Sequence, residues 1–202
     1  MLTTRTDSPV SHARHAWKWP CLFALLGAVT VCQAQPASRP PQTTRVLEPS
    51  NTSHAMGVRV GHHGAYNSAS LYWQSPAWWS HNLENGWGRL DLLGEVTATY
   101  WHARRGHPNS LWQLGFTPTL RWWPSSKPYY LEAGFGPTVN SHTRFADRRL
   151  STALQFGSHL GAGYVFNARH QLGIRFSHFS NANIKQPNRG LNVAQLEYAV
   201  RF

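Results

Sequence analysis

Hydrophobic and polar residues alternate along most of the chain beyond residue 57. From residue 154 the even positions read Leu154, Phe156, Ser158, Leu160, Ala162, Tyr164, Phe166, against Gln155, Gly157, His159, Gly161 and Gly163. Leu172, Ile174 and Phe176 face Gly173, Arg175 and Ser177, and Ala194, Leu196, Tyr198, Val200 and Phe202 face Gln195, Glu197, Ala199 and Arg201. The same two-residue period runs through 90–100 and 112–122. It predicts β-strands with one apolar and one polar face. No stretch beyond residue 34 shows the period of an amphipathic helix, and none approaches the ~18 apolar residues of a membrane-spanning one.

Eight strands are predicted, near 57–66, 69–78, 87–102, 110–123, 128–140, 150–166, 170–182 and 190–202. Two-faced strands fit a soluble sandwich or a transmembrane barrel. Strands of ~11–15 residues exceed the ~5–6 of soluble sheets. Trp78, Trp79, Trp87, Trp101, Trp112, Trp122, Trp123 and Tyr129 crowd strand ends, as interfacial girdles require. The expected fold is therefore all-β: an eight-stranded antiparallel transmembrane β-barrel. An even count suits it, and eight strands leave a lumen filled by side chains. Arg59, Arg89, Asp91, Glu95, Arg121, Glu132, Arg175 and Glu197 would share that lumen. Their mixed signs imply an ion-pair network and not a pore.

The N-terminal region changes the cellular setting. Residues 1–18 are basic, Cys21–Val31 is a short apolar run, and Cys32-Gln33-Ala34 offers small residues for cleavage. Residues 1–34 read as a secretory signal peptide. Residues 35–54 hold four prolines and no period, and read as a flexible leader. The barrel occupies 55–202. Both cysteines, Cys21 and Cys32, fall in the signal segment, so the exported part has no disulfide or thiol ligand. The terminal Phe202 resembles the signal by which outer-membrane proteins engage the barrel-assembly machinery. The expected location is the bacterial outer membrane, after Sec-dependent export.

Beyond residue 34 the chain carries 16 Lys and Arg against 7 Asp and Glu. Such a balance suits an anionic partner. Export argues against nucleic acid, which leaves an anionic lipid surface. With the C-terminus in the periplasm, the loops near 103–109, 141–149 and 183–189 face outward. Arg144, Arg148, Arg149, Lys185 and Arg189 there are candidates for phosphate contact; the bland alternative is a solvated basic rim. A homodimer is compatible with these features.

One strand breaks its own pattern. After Leu172, Ile174 and Phe176, the apolar face continues with His178 and Ser180. Polar groups facing lipid are costly and tend to be functional. Two residues apart on a strand, these side chains point the same way, ~7 Å apart at Cα. That spacing suits a nucleophile and its base. Taken alone, an H-x-S pair is weak, and two interfacial residues with no chemistry would look the same. His62 and His63 lack a third ligand at a sensible spacing, and no phosphate or metal motif is present. No cofactor and no metal are expected.

The segment from His178 through Asn181 and Ala182 to Lys185, Pro187, Asn188 and Gly190, with the eight-strand count and Phe202, resembles the lipid A 3-O-deacylase family. That family carries an H-x-S-N-A segment followed by K-x-P-N-x-G. The resemblance implies a serine esterase removing the ester-linked 3-hydroxyacyl chain from position 3 of lipid A. It makes Ser180 the nucleophile and His178 the general base, with lipopolysaccharide as substrate. Asn181 and Asn183 become candidate oxyanion donors and Asn188 a site-shaping residue. Two positions depart from the family. Asn183 stands where Gly is common. Asn192 stands where the family has an acid, and is expected opposite Ser180 across the hairpin, which would set Glu197 opposite Arg175. A carboxamide can orient an imidazole but cannot balance its charge. A working Ser-His-Asn site, a weakened enzyme and a non-catalytic relative all stay open. The competing function is a structural or lipopolysaccharide-binding small barrel.

Overall fold

A computed structural model describes residues 50–125 and 127–202; the segments expected from the sequence to be a signal peptide and a leader lie, up to residue 49, outside the described residues. The strands are β1 (Ala55–His63), β2 (Tyr66–Gln74), β3 (Trp79–Leu83), β4 (Gly88–Ala103), β5 (Ser110–Trp123), β6 (Tyr129–Asn140), β7 (Arg144–Phe145), β8 (Arg148–Arg149), β9 (Leu154–Phe166), β10 (His170–Ser180) and β11 (Leu191–Arg201).

Eight of these form a closed antiparallel barrel in the order β1, β2, β4, β5, β6, β9, β10, β11, with β11 pairing back to β1. Short β3 extends the wall beside the start of β4, beyond the end of β2. The N-terminal edge is pinned, since His54 and Phe202 exchange backbone hydrogen bonds at 2.9 and 3.0 Å.

Three strands differ most from the limits the pattern predicts. β1 and β2 begin and end two to four residues earlier, because Gly64 and Ala65 make the turn and His63 pairs with Tyr66. β9 begins at 154 and not 150. The residues before it form the small β7–β8 hairpin, whose Phe145 is fully buried. That hairpin folds inward over one barrel end, where Phe145 packs with Tyr66, Trp101, Leu111, Leu150, Leu191 and Val193.

The alternation resolves into an apolar exterior and a polar lumen. Leu172, Ile174 and Phe176 on β10 are exposed, while their neighbours Gln171, Arg175 and Ser177 are buried. In a soluble sheet the burial would be reversed. An apolar outer wall around a charged interior is the transmembrane arrangement.

The lumen holds a neutral network of three arginines and three glutamates. Arg59 bonds Glu95 at 3.0 Å and Glu197 at 2.9 Å. Arg175 bonds Glu95 at 2.8 Å and Glu132 at 2.5 Å. Arg121 bonds Glu132 at 2.7 Å. The guanidinium groups of Arg59 and Arg121 also lie over the rings of Tyr72 and Tyr130, at 4.2 and 4.0 Å. Towards the other end Arg89 pairs with Asp91 at 2.9 Å. These are the lumen residues the alternation predicts. Their burial makes the interior a packed core, where removing one partner would strand an uncompensated charge.

Candidate active site on the outer wall

His178 and Ser180 lie at the end of β10 and Asn192 near the start of β11, at the barrel end that carries the β7–β8 hairpin. The β10–β11 register pairs His178 directly with Asn192. This corrects the expected pairing of Ser180 with Asn192 by two residues. Glu197 accordingly stands opposite Gly173, although it still reaches Arg175 at 3.4 Å within the lumen. The shift moves Asn192 beside the imidazole. His178 Nδ1 and Asn192 Oδ1 are 2.6 Å apart, and both residues are exposed on the outer wall. The carboxamide oxygen is an acceptor only, so Nδ1 carries the proton and Nε2 keeps its lone pair. That is the tautomer a general base needs.

Gly190 lies against both His178 and Ser180, whose side chains form no hydrogen bond with each other among the described residues. A Cβ at residue 190 would stand 3.0 Å from His178 Cε1, 3.2 Å from Ser180 Cβ and 2.5 Å from the Phe179 carbonyl oxygen. Both side chains thus border a gap that only a residue without a side chain leaves open.

Between the strands, residues 181–190 form a braced loop. Ala182 and Asn183 both have positive φ, 51° and 65°, and Ile184 N–H returns to Asn181 O at 3.0 Å. These are the features of a type I′ turn. The left-handed conformation accounts for the family's Gly at 183 and for Asn as a tolerated replacement. Asn181 is fully buried and points inward. Its Nδ2 donates to Leu150 O at 3.1 Å and Lys185 O at 2.7 Å. Its backbone N–H donates to Asn188 Oδ1 at 3.1 Å. Asn181 therefore anchors the loop and its N–H is already engaged. Asn188 ties the loop to itself, because its Nδ2 also donates to Asn183 Oδ1 at 3.3 Å. The backbone N–H of Asn183 has no acceptor among the described residues.

The segment before β9 braces this loop from the lumen side. Arg148 Nη1 donates to Gly190 O at 2.8 Å, and Ser151 Oγ to Pro187 O at 2.8 Å. Arg148 is half-buried and also lies over the Tyr66 ring at 5.5 Å. It is a structural strut, unlike Arg144, Arg149, Lys185 and Arg189, which are exposed. Sequence reasoning misses Tyr66, whose hydroxyl lies 2.9 and 3.0 Å from the backbone of Asn192. No local signal could join residues 126 positions apart. His62 and His63 are separated by their roles, since His62 bonds Asn67 at 2.7 Å and His63 stacks on Tyr66.

Comparison with known proteins agrees with this architecture. Residues 67–201 match the family model described as lipid A 3-O-deacylase (PagL). The chain is 41% identical over 160 residues to the lipid A deacylase PagL of Bordetella bronchiseptica, covering 79% of this chain and 88% of that protein. It is 31% identical over 183 residues to the Pseudomonas aeruginosa protein of the same name, covering 89% and 94%. Among solved structures it resembles the outer membrane enzyme PagL, with a TM-score of 0.61 and 29% identity, covering 72% of this chain and 98% of that one. A designed transmembrane barrel at 14% identity and a TM-score of 0.51 shares the fold alone. The barrel is an outer-membrane one, and the chain belongs to the lipid A 3-O-deacylase (PagL) family.

Proposed function

We propose that this chain is a serine esterase that removes the ester-linked 3-hydroxyacyl chain from position 3 of lipid A in the outer leaflet. The observation that carries the mechanism is the 2.6 Å contact of His178 Nδ1 with Asn192 Oδ1, beside Ser180 on an apolar outer wall. The relatives' activity supports the substrate.

Ser180 Oγ attacks the acyl carbonyl carbon while His178 Nε2 takes its proton. The N–H of Asn183, one turn beyond Ser180, is the donor to the developing oxyanion; the Asn181 N–H is not, because Asn188 holds it. The bond from acyl carbon to sugar oxygen breaks, and His178 returns the proton to that oxygen. Water then attacks the acyl-serine, passing a proton through His178 to Ser180, and the fatty acid departs. Asn192 fixes the tautomer of His178 throughout, without supplying the charge of an acid. Exposed Arg144, Arg149, Lys185 and Arg189 engage the phosphates of the substrate.

Lipid A mass spectra of cells with and without the chain test the reading. Wild type should remove one 3-hydroxyacyl chain, and Ser180→Ala should fold yet leave the profile unchanged. The neutral Asn192 favours one alternative, a barrel that binds lipopolysaccharide without turnover. Fully acylated lipid A in cells carrying wild type would select it.

A further inference from the structure

The β1–β11 ladder ends at the pair His62–Ala194, so Asn192 extends beyond its neighbour on that side. In an antiparallel strand a residue's N–H and C=O point to the same side. Tyr66 takes both. Its hydroxyl accepts the Asn192 N–H at 3.0 Å and donates to the Asn192 C=O at 2.9 Å. These groups therefore point away from β10, which makes Asn192 and His178 a non-hydrogen-bonded pair, the closely spaced kind. That spacing lets the short carboxamide reach the imidazole. The phenol replaces the missing strand, and it cannot drift. Its ring stacks on His63 at 4.8 Å and meets the edges of Trp101 and Phe145, each at 5.7 Å.

We propose that Tyr66 is a positioning residue of the esterase: its hydroxyl fixes the Asn192 backbone and, through the Asn192 carboxamide, the orientation and tautomer of His178. This rests on the Ser180–His178–Asn192 reading above. The residue acts from inside the barrel on a site outside it, across the wall.

Tyr66→Phe removes only the hydroxyl and keeps every ring contact. With the full chain folded in mixed micelles containing lipid A, kcat should fall at least about ten-fold with KM unchanged, since small misplacements of catalytic groups cost rate steeply. The melting temperature should stay near that of wild type. In the Asn192→Ala background the same substitution should produce no further loss. Nitrogen-15 shifts of His178 should report the Nδ1-protonated tautomer in wild type and a mixture in Tyr66→Phe. A wild-type kcat for Tyr66→Phe, or an equal loss with and without Asn192, would overturn the positioning role. Activity surviving in Ser180→Ala would instead sink the triad reading itself. An inactive Ser180→Ala beside a normal Tyr66→Phe rejects Tyr66 alone.

Discussion

Arg175 and His178 stand three residues apart on β10, and the barrel wall separates their worlds. Arg175 points inward, 4% exposed, and its charge is balanced by Glu95, Glu132 and Glu197. His178 points outward from a row of lipid-facing apolar residues and is held by a single neutral partner. In the central network each of the three arginines is hydrogen-bonded to at least one glutamate. On the outer wall, His178 Nδ1 is held by Asn192, and Nε2 has no partner among the described residues. The contrast teaches that charge in this barrel is kept inside and balanced by opposite charge, while the outer wall carries a neutral polar pair.

Substitutions can break that division. On the outer wall, His178→Ala should lower deacylation by about 10⁴-fold or more, as loss of a triad base does, while thermal stability stays unchanged. In the lumen, Glu95→Ala should act in the opposite sense. It leaves three buried arginines to two glutamates, one positive charge uncompensated although Arg59 keeps Glu197 and Arg175 keeps Glu132, at a cost of about 3–5 kcal/mol, readable as a lower urea midpoint of the folded barrel. If that variant lost activity at full stability, the two regions would not be separable. Gly190→Ala sharpens the comparison at closer range. Its methyl group would wedge between the imidazole, the Ser180 Cβ and the Phe179 carbonyl, and we expect about a 100-fold loss of kcat in a barrel of normal electrophoretic mobility. The smallest effect is a gain: Asn192→Asp should raise the rate about ten-fold, by adding the charge that stabilises imidazolium. A decrease in lipid A turnover would assign Asn192 another task.

The barrel was legible because a two-residue period survives whichever face is buried, and the lumen charges could be read off the odd positions of β10 and β11. Register was less legible. The hairpin joining β10 to β11 has a ten-residue loop, 181–190, whose left-handed turn at Ala182 and Asn183 sets the alignment, and nothing in the flanking alternation distinguishes a shift of two. Parity was right for Asn192, while its partner was His178 and not Ser180. The β7–β8 hairpin is hidden for a different reason: Phe145 reads as a loop residue and Leu150 as the first residue of a strand until the interior they fill exists. Arg148 looked like a rim cation because its acceptor, the Gly190 carbonyl, is a backbone atom 42 positions away.

Phe145, packed among Tyr66 and Trp101, fills the barrel interior beside the site, and His178 and Asn192 are exposed on the outer wall instead. A lipid reaches that wall by drifting within the plane of the leaflet. Encounter then depends on how crowded the surrounding sheet of lipid is with substrate, and not on how much substrate the solution contains. Diluting lipid A with inert detergent at constant total amount should slow turnover, the behaviour of a catalyst confined to two dimensions.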